Sequence, residues 1–237
     1  MLALVSDDAI PSEQAPAPPR PLFAPYRGIR FAVSLKWLLG GALLYALLLL
    51  VMIPANPGEA SWPIVGPSLY LTPLFGLPFV LRTAHKPARL RRLLYFLLLL
   101  PVAHIAANYV AWSYAVANFY QSDPNEVLLR NLATGAWGGA AGAALSFTLL
   151  YLSGLTARRR AELGAMCLAT VVLTVAGALG MAQGLILSGG AMDTHATEPL
   201  VLWFECVHLP WQIVFALALA WLMRPPKPAK RTVTPPA

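Results

Sequence analysis

Six apolar segments divide the chain, and short polar clusters separate them. Each segment can span or nearly span the roughly 30 Å hydrocarbon core of a bilayer, because a helix rises 1.5 Å per residue and 17 to 25 residues suffice. The pattern therefore predicts an all-α polytopic membrane protein with six transmembrane helices. The predicted spans are 35–53, 65–81, 93–120, 132–152, 163–187 and 200–223.

The composition supports a membrane environment. Hydrophobic residues make up 58% of the chain and charged residues 11%, whereas a soluble domain carries roughly 25% charged residues. The net charge of +7 would suggest nucleic-acid binding in a soluble protein. Here the basic residues lie in short clusters between apolar segments, where they set the topology. We therefore expect contact with the lipid bilayer and no nucleic-acid partner.

The basic clusters predict the orientation of the chain. They precede the first span and follow the second, fourth and sixth, whereas Arg130 alone lies on the other side. Because positive clusters stay in the cytoplasm, both termini are predicted to be cytoplasmic. Pro67, Pro73 and Pro78 disfavour a straight second helix, but the charge pattern favours a kinked crossing over the alternative, a re-entrant segment together with a misassigned first span. The short loops and small size indicate a bacterial inner membrane protein.

The chain reads as one membrane domain between two tails. Residues 1–33 are rich in proline and lack the basic and apolar regions of a signal peptide, so they predict a disordered tail. The membrane domain is predicted over 34–223, and residues 224–237 form a basic, proline-rich second tail. The third span is longer than a bilayer requires and contains Pro101, which predicts a tilt, a kink or protrusion from the membrane.

Two polar stripes interrupt the apolar segments. Glu205, His208 and Gln212 fall within roughly 60° of one another on the sixth span, because successive residues turn by 100°. On the third span, His104 and Asn108 lie one helical turn apart. Ionisable groups inside a membrane span are costly and usually mark a functional site. If the third and sixth spans adjoin, these five residues share one buried polar cavity.

This cavity has several interpretations that the sequence leaves open. It could handle a small ligand or ion, by transport or proton relay, with Glu205 and His208 as the protonatable pair. The Glu205-x-x-His208 spacing is also typical of bundle metal sites, with His104 as a third ligand. A haem between His104 and His208 is a further option. Cofactor and metal identity are unassigned at this stage, and the sequence predicts no catalytic residues.

A structural interpretation competes with these. The polar residues could hydrogen-bond across helices within a non-catalytic subunit or assembly factor. Small residues on the fourth and fifth spans would let helix backbones approach closely, either within the chain or against a membrane-protein partner or second copy. These predicted packing residues are Gly135, Gly138, Gly139, Gly142, Gly177, Gly180 and Gly184.

The last outer loop carries Asp193, His195 and Glu198. These residues could bind a divalent cation, since carboxylates and imidazoles are metal ligands. A glycine-rich loop with three polar residues is more often solvated, and this is the interpretation that we favour.

Overall fold

A computed structural model describes residues 27–55, 66–119, 126–188 and 197–226. Helices account for most of these ranges, and the ranges contain no strand, which confirms the predicted all-α class for them. The helices are α1 (Phe31–Ala55), α2 (Pro67–Arg82), α3 (Arg89–Leu94, Tyr95–Leu99 and Leu100–Phe119), α4 (Val127–Leu152), α5 (Arg160–Leu187) and α6 (Thr197–Leu222). The middle part of α3, Tyr95–Leu99, is a π-helical turn through which the helix continues.

Five of these helices are long and apolar enough to cross a membrane, which agrees with a multi-pass membrane protein. The exception is α2, whose 16 residues extend about 24 Å. A sixth crossing therefore stays a prediction. The tails, residues 1–26 and 227–237, and the loop residues Asp193 and His195 lie outside the described residues.

The helices form a closed ring. Each packs on its neighbours in the sequence, and α6 closes the ring against α1. Large apolar side chains point outwards from several helices, among them Leu47, Leu129 and Leu168, which are more than half exposed. Such an outer surface suits acyl chains rather than water. Inside one end of the ring, Phe75, Phe79, Phe96, Phe147 and Phe215 belong to one buried cluster.

A π-helical turn lies just before Pro101 in α3. The Leu100 N–H donates to Tyr95 O, five residues earlier rather than four. Pro101 lacks an N–H and its ring crowds the carbonyl four residues before it, so the wider turn accommodates the proline without ending the helix. The turn places Tyr95 fully inside the ring, where its hydroxyl donates to Ser146 O of α4 over 3.2 Å.

Most basic residues lie at one end of the ring, which we call the basic end. The helices α1, α3 and α5 begin there, and α2, α4 and α6 end there. A hydrogen bond from the Ile29 N–H to Met223 O, over 2.9 Å, joins the start of α1 to the end of α6 at this end. Within the described ranges, Arg130 is the exception, and it pairs with Glu126 over 2.6 Å at the opposite end. The basic-end residues are Arg27, Arg30, Lys36, Arg82, Lys86, Arg89, Arg91, Arg92, Arg158, Arg159, Arg160 and Arg224.

Arg92 shows how a basic residue stabilises this end. Its guanidinium is 1% exposed and joins the end of α2 to the start of α3. Nη1 donates to Pro87 O over 2.6 Å, and Nη2 donates to Thr83 O and Lys86 O over 2.7 and 3.0 Å. These carbonyls follow the last turn of α2, where helical partners run out. The planar guanidinium can satisfy all three at once.

Candidate ligand-binding cavity

A cavity of about 600 Å³ lies inside the ring. Its volume is within the range of small-molecule sites, roughly 300 to 1,000 Å³. Alanine, glycine, leucine and aromatic side chains make up most of its wall, and a smaller polar set interrupts them. The polar side chains that line the cavity include Ser68, Thr72, His104, Asn108, Asn131, Thr134, Ser146, His208 and Gln212.

His104 and His208 meet across this cavity. Their ring centroids are 5.3 Å apart and their planes are inclined by 32°, although α3 and α6 are on opposite sides of the ring. His208 also stacks on Phe204 at 5.8 Å, with 14° between the planes. The Tyr45 ring approaches His208 from α1, again at 5.8 Å. Aromatic neighbours on two sides therefore hold the His208 ring in place.

A hydrogen-bond network around His104 favours one position for the imidazole proton. The Thr72 hydroxyl lies 2.8 Å from His104 Nδ1 and donates to Ser68 O over 3.0 Å. The Tyr45 hydroxyl donates to the same carbonyl over 3.1 Å. A hydroxyl carries a single proton, so Thr72 accepts from the imidazole when it donates to Ser68. His104 is then protonated on Nδ1, which leaves Nε2 as an acceptor.

The acceptor nitrogen of His104 has no protein partner. Nε2 is buried and makes no hydrogen bond within the described part of the chain. Gln212 Oε1 and Trp211 Nε1, whose side chains line the same cavity, are likewise buried without a hydrogen bond there. A buried polar group without a partner costs about 1 to 3 kcal/mol. All three atoms are enclosed by protein, so a ligand in the cavity could supply a missing partner only if the side chain turned towards it.

The structure brings four of the five predicted cavity residues together. His104, Asn108, His208 and Gln212 all line the cavity. Glu205 does not line it. Its carboxylate interacts electrostatically with Tyr45 of α1, and its Oε1 is buried without a hydrogen bond to any described residue. Rotation around α6 does not by itself separate Glu205 from the others, because Gln212 lines the cavity and lies only about 20° from Glu205 around the helix.

Tyr45, Ser68 and Thr72 contribute to the site, although the sequence pattern did not predict them. Ser68 and Thr72 lie one helical turn apart in the proline-rich second span, so they share a face of α2. This spacing was the available signal, and the three prolines obscured it. Tyr45 lies among leucines and alanines in α1 with no other polar residue one helical turn away, so it carried no comparable signal.

The metal-site prediction does not fit this geometry. A joint site for His104, Glu205 and His208 needs the three side chains to converge, and the described residues include no group of three His, Cys, Asp or Glu that could hold a metal ion. The rings of His104 and His208 are also too close together to be the two axial ligands of a haem. Two metal–nitrogen bonds of about 2 Å and the two ring radii require roughly 6 Å between centroids, against 5.3 Å here.

The predicted packing glycines are all buried within this chain. Gly135 and Gly177 bring α4 and α5 together, since a Cβ on Gly177 would lie 2.5 Å from Gly135 O. Gly138 and Gly142 instead face Ala111 and Ala107 of α3. The remaining packing contacts are those of Gly139 with Leu173 and Thr174 in α5, and those of Gly180 and Gly184 with Cys206 and Trp203 in α6.

No protein-family model, curated protein or solved structure matches this chain. The fold and the cavity therefore define its class. The described residues form an all-helical ring whose apolar helices are those of a multi-pass membrane protein, and the ring encloses a mostly apolar cavity with a pair of histidines.

Proposed function

We propose that this membrane protein binds a small, largely apolar molecule with one hydrogen-bond donor, such as a hydroxyl or N–H group. The observation that carries the proposal is a mostly apolar cavity with the paired rings of His104 and His208 in its wall and an Nε2 on His104 that has no partner among the described residues. The apolar wall would hold the body of the ligand, and the histidine pair would orient its donor. Gln212 and Trp211 also line the cavity and have buried polar atoms without partners, so they could serve a ligand with a second polar group if their side chains turn towards it.

The charge of the cavity wall favours a neutral ligand over an ion. Among the described residues that line it there is no Asp, Glu, Lys or Arg. An ion would leave water for a mostly apolar cavity without a compensating charge, which is costly. A proton relay through Glu205 and His208 has less support than ligand binding, because Glu205 lies outside the cavity wall.

The protein would carry or present its ligand within a bacterial inner membrane. The basic end supports cytoplasmic termini, because clusters of Lys and Arg resist translocation. A crossing by α2 is supported by Tyr45, which lies near the middle of α1 and bonds to Ser68 at the start of α2. From that depth α2 continues to the basic end, so α2 covers most of the thickness of the bilayer.

The position and the prolines of α2 support an extension of this proposal, namely that the protein transports its ligand. It borders the cavity through Ser68 and Thr72, and its Pro73 and Pro78 remove two backbone donors from the helix. Broken helices beside a central site are typical of transporters, where they change shape as the ligand enters and leaves. The assembly-factor alternative has less support, because the glycines expected at a partner interface pack inside the chain.

Quenching of tryptophan fluorescence tests ligand binding, because Trp112, Trp203 and Trp211 line the cavity. We would titrate the protein in nanodiscs with 4-bromophenol and with 4-bromoanisole, which have similar shape but differ in the donor. The phenol should bind about fivefold more tightly, since one net hydrogen bond contributes about 1 kcal/mol. His104→Ala should abolish this preference.

His85→Ala is the matched control, because His85 is exposed at the basic end and far from the cavity wall. It should keep the preference for the phenol. Thermal unfolding of both variants would verify that each is folded. If folded His104→Ala retains the wild-type preference, Nε2 does not bind the donor and the proposal is wrong.

A further inference from the structure

A second cavity, of about 460 Å³, lies at the basic end. It is formed where α4 ends and α5 begins, and the start of α3 closes it from the side. Arg91, Arg158 and Arg159 line it, together with the hydroxyl-bearing Ser153 and Thr156. None of the described residues that line it is acidic. We call this second cavity the arginine pocket.

Hydrogen bonds to the backbone hold two of the guanidinium groups close together. Arg91 Nη1 donates to Gly154 O over 3.2 Å, and Arg158 Nη2 donates to Tyr151 O over 3.1 Å. Both groups lie over Gly154, because a Cβ built there would be 2.8 Å from Arg91 Nη1 and 3.5 Å from Arg158 Nη2. Gly154 has a φ of +63°, so the turn itself also requires glycine.

The pocket brings positive charges close together, and an anion between them would reduce their mutual repulsion. The backbone of Arg158 has a φ of 51°, in the left-handed region that residues other than glycine seldom adopt. Arg159 adds a third positive charge, and its side chain makes no hydrogen bond within the described ranges. Arginine is well suited to bind phosphate, because its planar fork donates two parallel hydrogen bonds.

We propose that the arginine pocket binds the phosphate group of an anionic ligand, and that an acidic phospholipid supplies it. Leu152 favours the lipid as the source, because it lines the pocket and is also 65% exposed on the outer apolar surface. A headgroup could therefore occupy the pocket while an acyl chain follows α4. Basic pockets between membrane helices bind acidic headgroups elsewhere by the same chemistry. This site is separate from the central cavity and does not depend on the function proposed for it.

Native mass spectrometry of the full chain in an uncharged detergent can test the arginine pocket. The probes are phosphatidylglycerol, phosphatidylcholine and inorganic phosphate at constant ionic strength. We expect wild-type protein to retain phosphatidylglycerol in preference to phosphatidylcholine. Arg159→Gln should weaken phosphatidylglycerol binding about fivefold, the usual effect of one basic residue near an acidic lipid.

Arg160→Gln is the matched control. Arg160 is the next residue, it is exposed and it does not line the pocket, so the substitution removes the same charge from the same end. Its affinity for phosphatidylglycerol should stay within twofold of wild type. If inorganic phosphate binds wild type and this binding is lost in Arg159→Gln, the pocket is a phosphate site whose ligand is a soluble phosphate. Equal losses in the two variants, or no loss in either, would overturn the proposal.

Discussion

His104 and His208 face each other across the central cavity, with 5.3 Å between their ring centroids, although their helices are on opposite sides of the ring. The two rings therefore meet across the cavity and not at an interface between neighbouring helices. Thr72 contacts one nitrogen of His104, and the other nitrogen has no hydrogen-bond partner among the described residues. The chemistry of the site consequently depends on which nitrogen of His104 carries the proton.

The tautomer of His104 can be measured directly. In bilayers, ¹⁵N NMR of histidine-labelled protein should show His104 with a protonated Nδ1 and an unprotonated Nε2, because Thr72 donates its proton to Ser68. Comparison with His104→Gln would assign the signals. Thr72→Val should give a mixture of tautomers, whereas Thr72→Ser should keep the wild-type spectrum. Protonation of Nε2 in the wild type would contradict the network.

The contact between α4 and α5 predicts a sharp steric effect at Gly135. A Cβ at this position would collide with Gly177 O, which is backbone and cannot move aside alone. Gly135→Ala should therefore lower the free energy of unfolding by about 2 kcal/mol, as overpacking does elsewhere. Denaturant titration in mixed micelles would measure the loss.

Gly40→Ala is the control for the change from glycine to alanine. A Cβ at Gly40 meets nothing within 4 Å, and the residue lies within α1. We expect stability equal to wild type or up to about 1 kcal/mol higher, since alanine favours a helix over glycine. Similar losses in both variants would show that α4 and α5 do not meet at Gly135.

Arg92 should be more sensitive to a conservative change than its neighbour Arg89. Arg92→Lys keeps the charge but cannot donate to Pro87, Thr83 and Lys86 together. We expect a loss of about 3 kcal/mol, because hydrogen bonds from a charged group contribute roughly 1.5 to 3 kcal/mol each. Arg89→Lys, on the exposed side of the same helix, should change thermal unfolding little. Equal melting temperatures for the two variants would argue against the buried role of Arg92.

Cysteine labelling can test the orientation of the chain. In a background with Cys167→Ala and Cys206→Ala, we would place single cysteines by Arg27→Cys and Glu126→Cys. The two positions lie at opposite ends of the ring, and both are exposed. A membrane-impermeant maleimide added to intact spheroplasts should label the cysteine at position 126 and leave the one at position 27 unlabelled. The reverse result would contradict cytoplasmic termini, and labelling of both would contradict their placement on opposite sides.

Much of the secondary structure was predictable because the length of an apolar segment and the positions of its prolines determine helix formation locally. The predicted span of 132–152 corresponds to Val127–Leu152, and that of 163–187 to Arg160–Leu187. The second span was harder to predict for the same reason, because Pro73 and Pro78 weaken the helical pattern that tertiary packing restores. Gly41 of α1 packs directly on Phe75 O of α2, a contact between distant segments that no local pattern encodes.

The cavity shows the same division. The sequence by itself determined an apolar, all-helical chain, its basic clusters and two polar stripes that include His104 and His208, because these follow from residue type and helical period. Only the tertiary structure decided that the stripes meet, that Thr72 bonds to His104 and that Glu205 lies outside the cavity wall. Those relationships depend on which helices are neighbours and on how each is rotated, and both are set by close contacts between segments far apart in the chain.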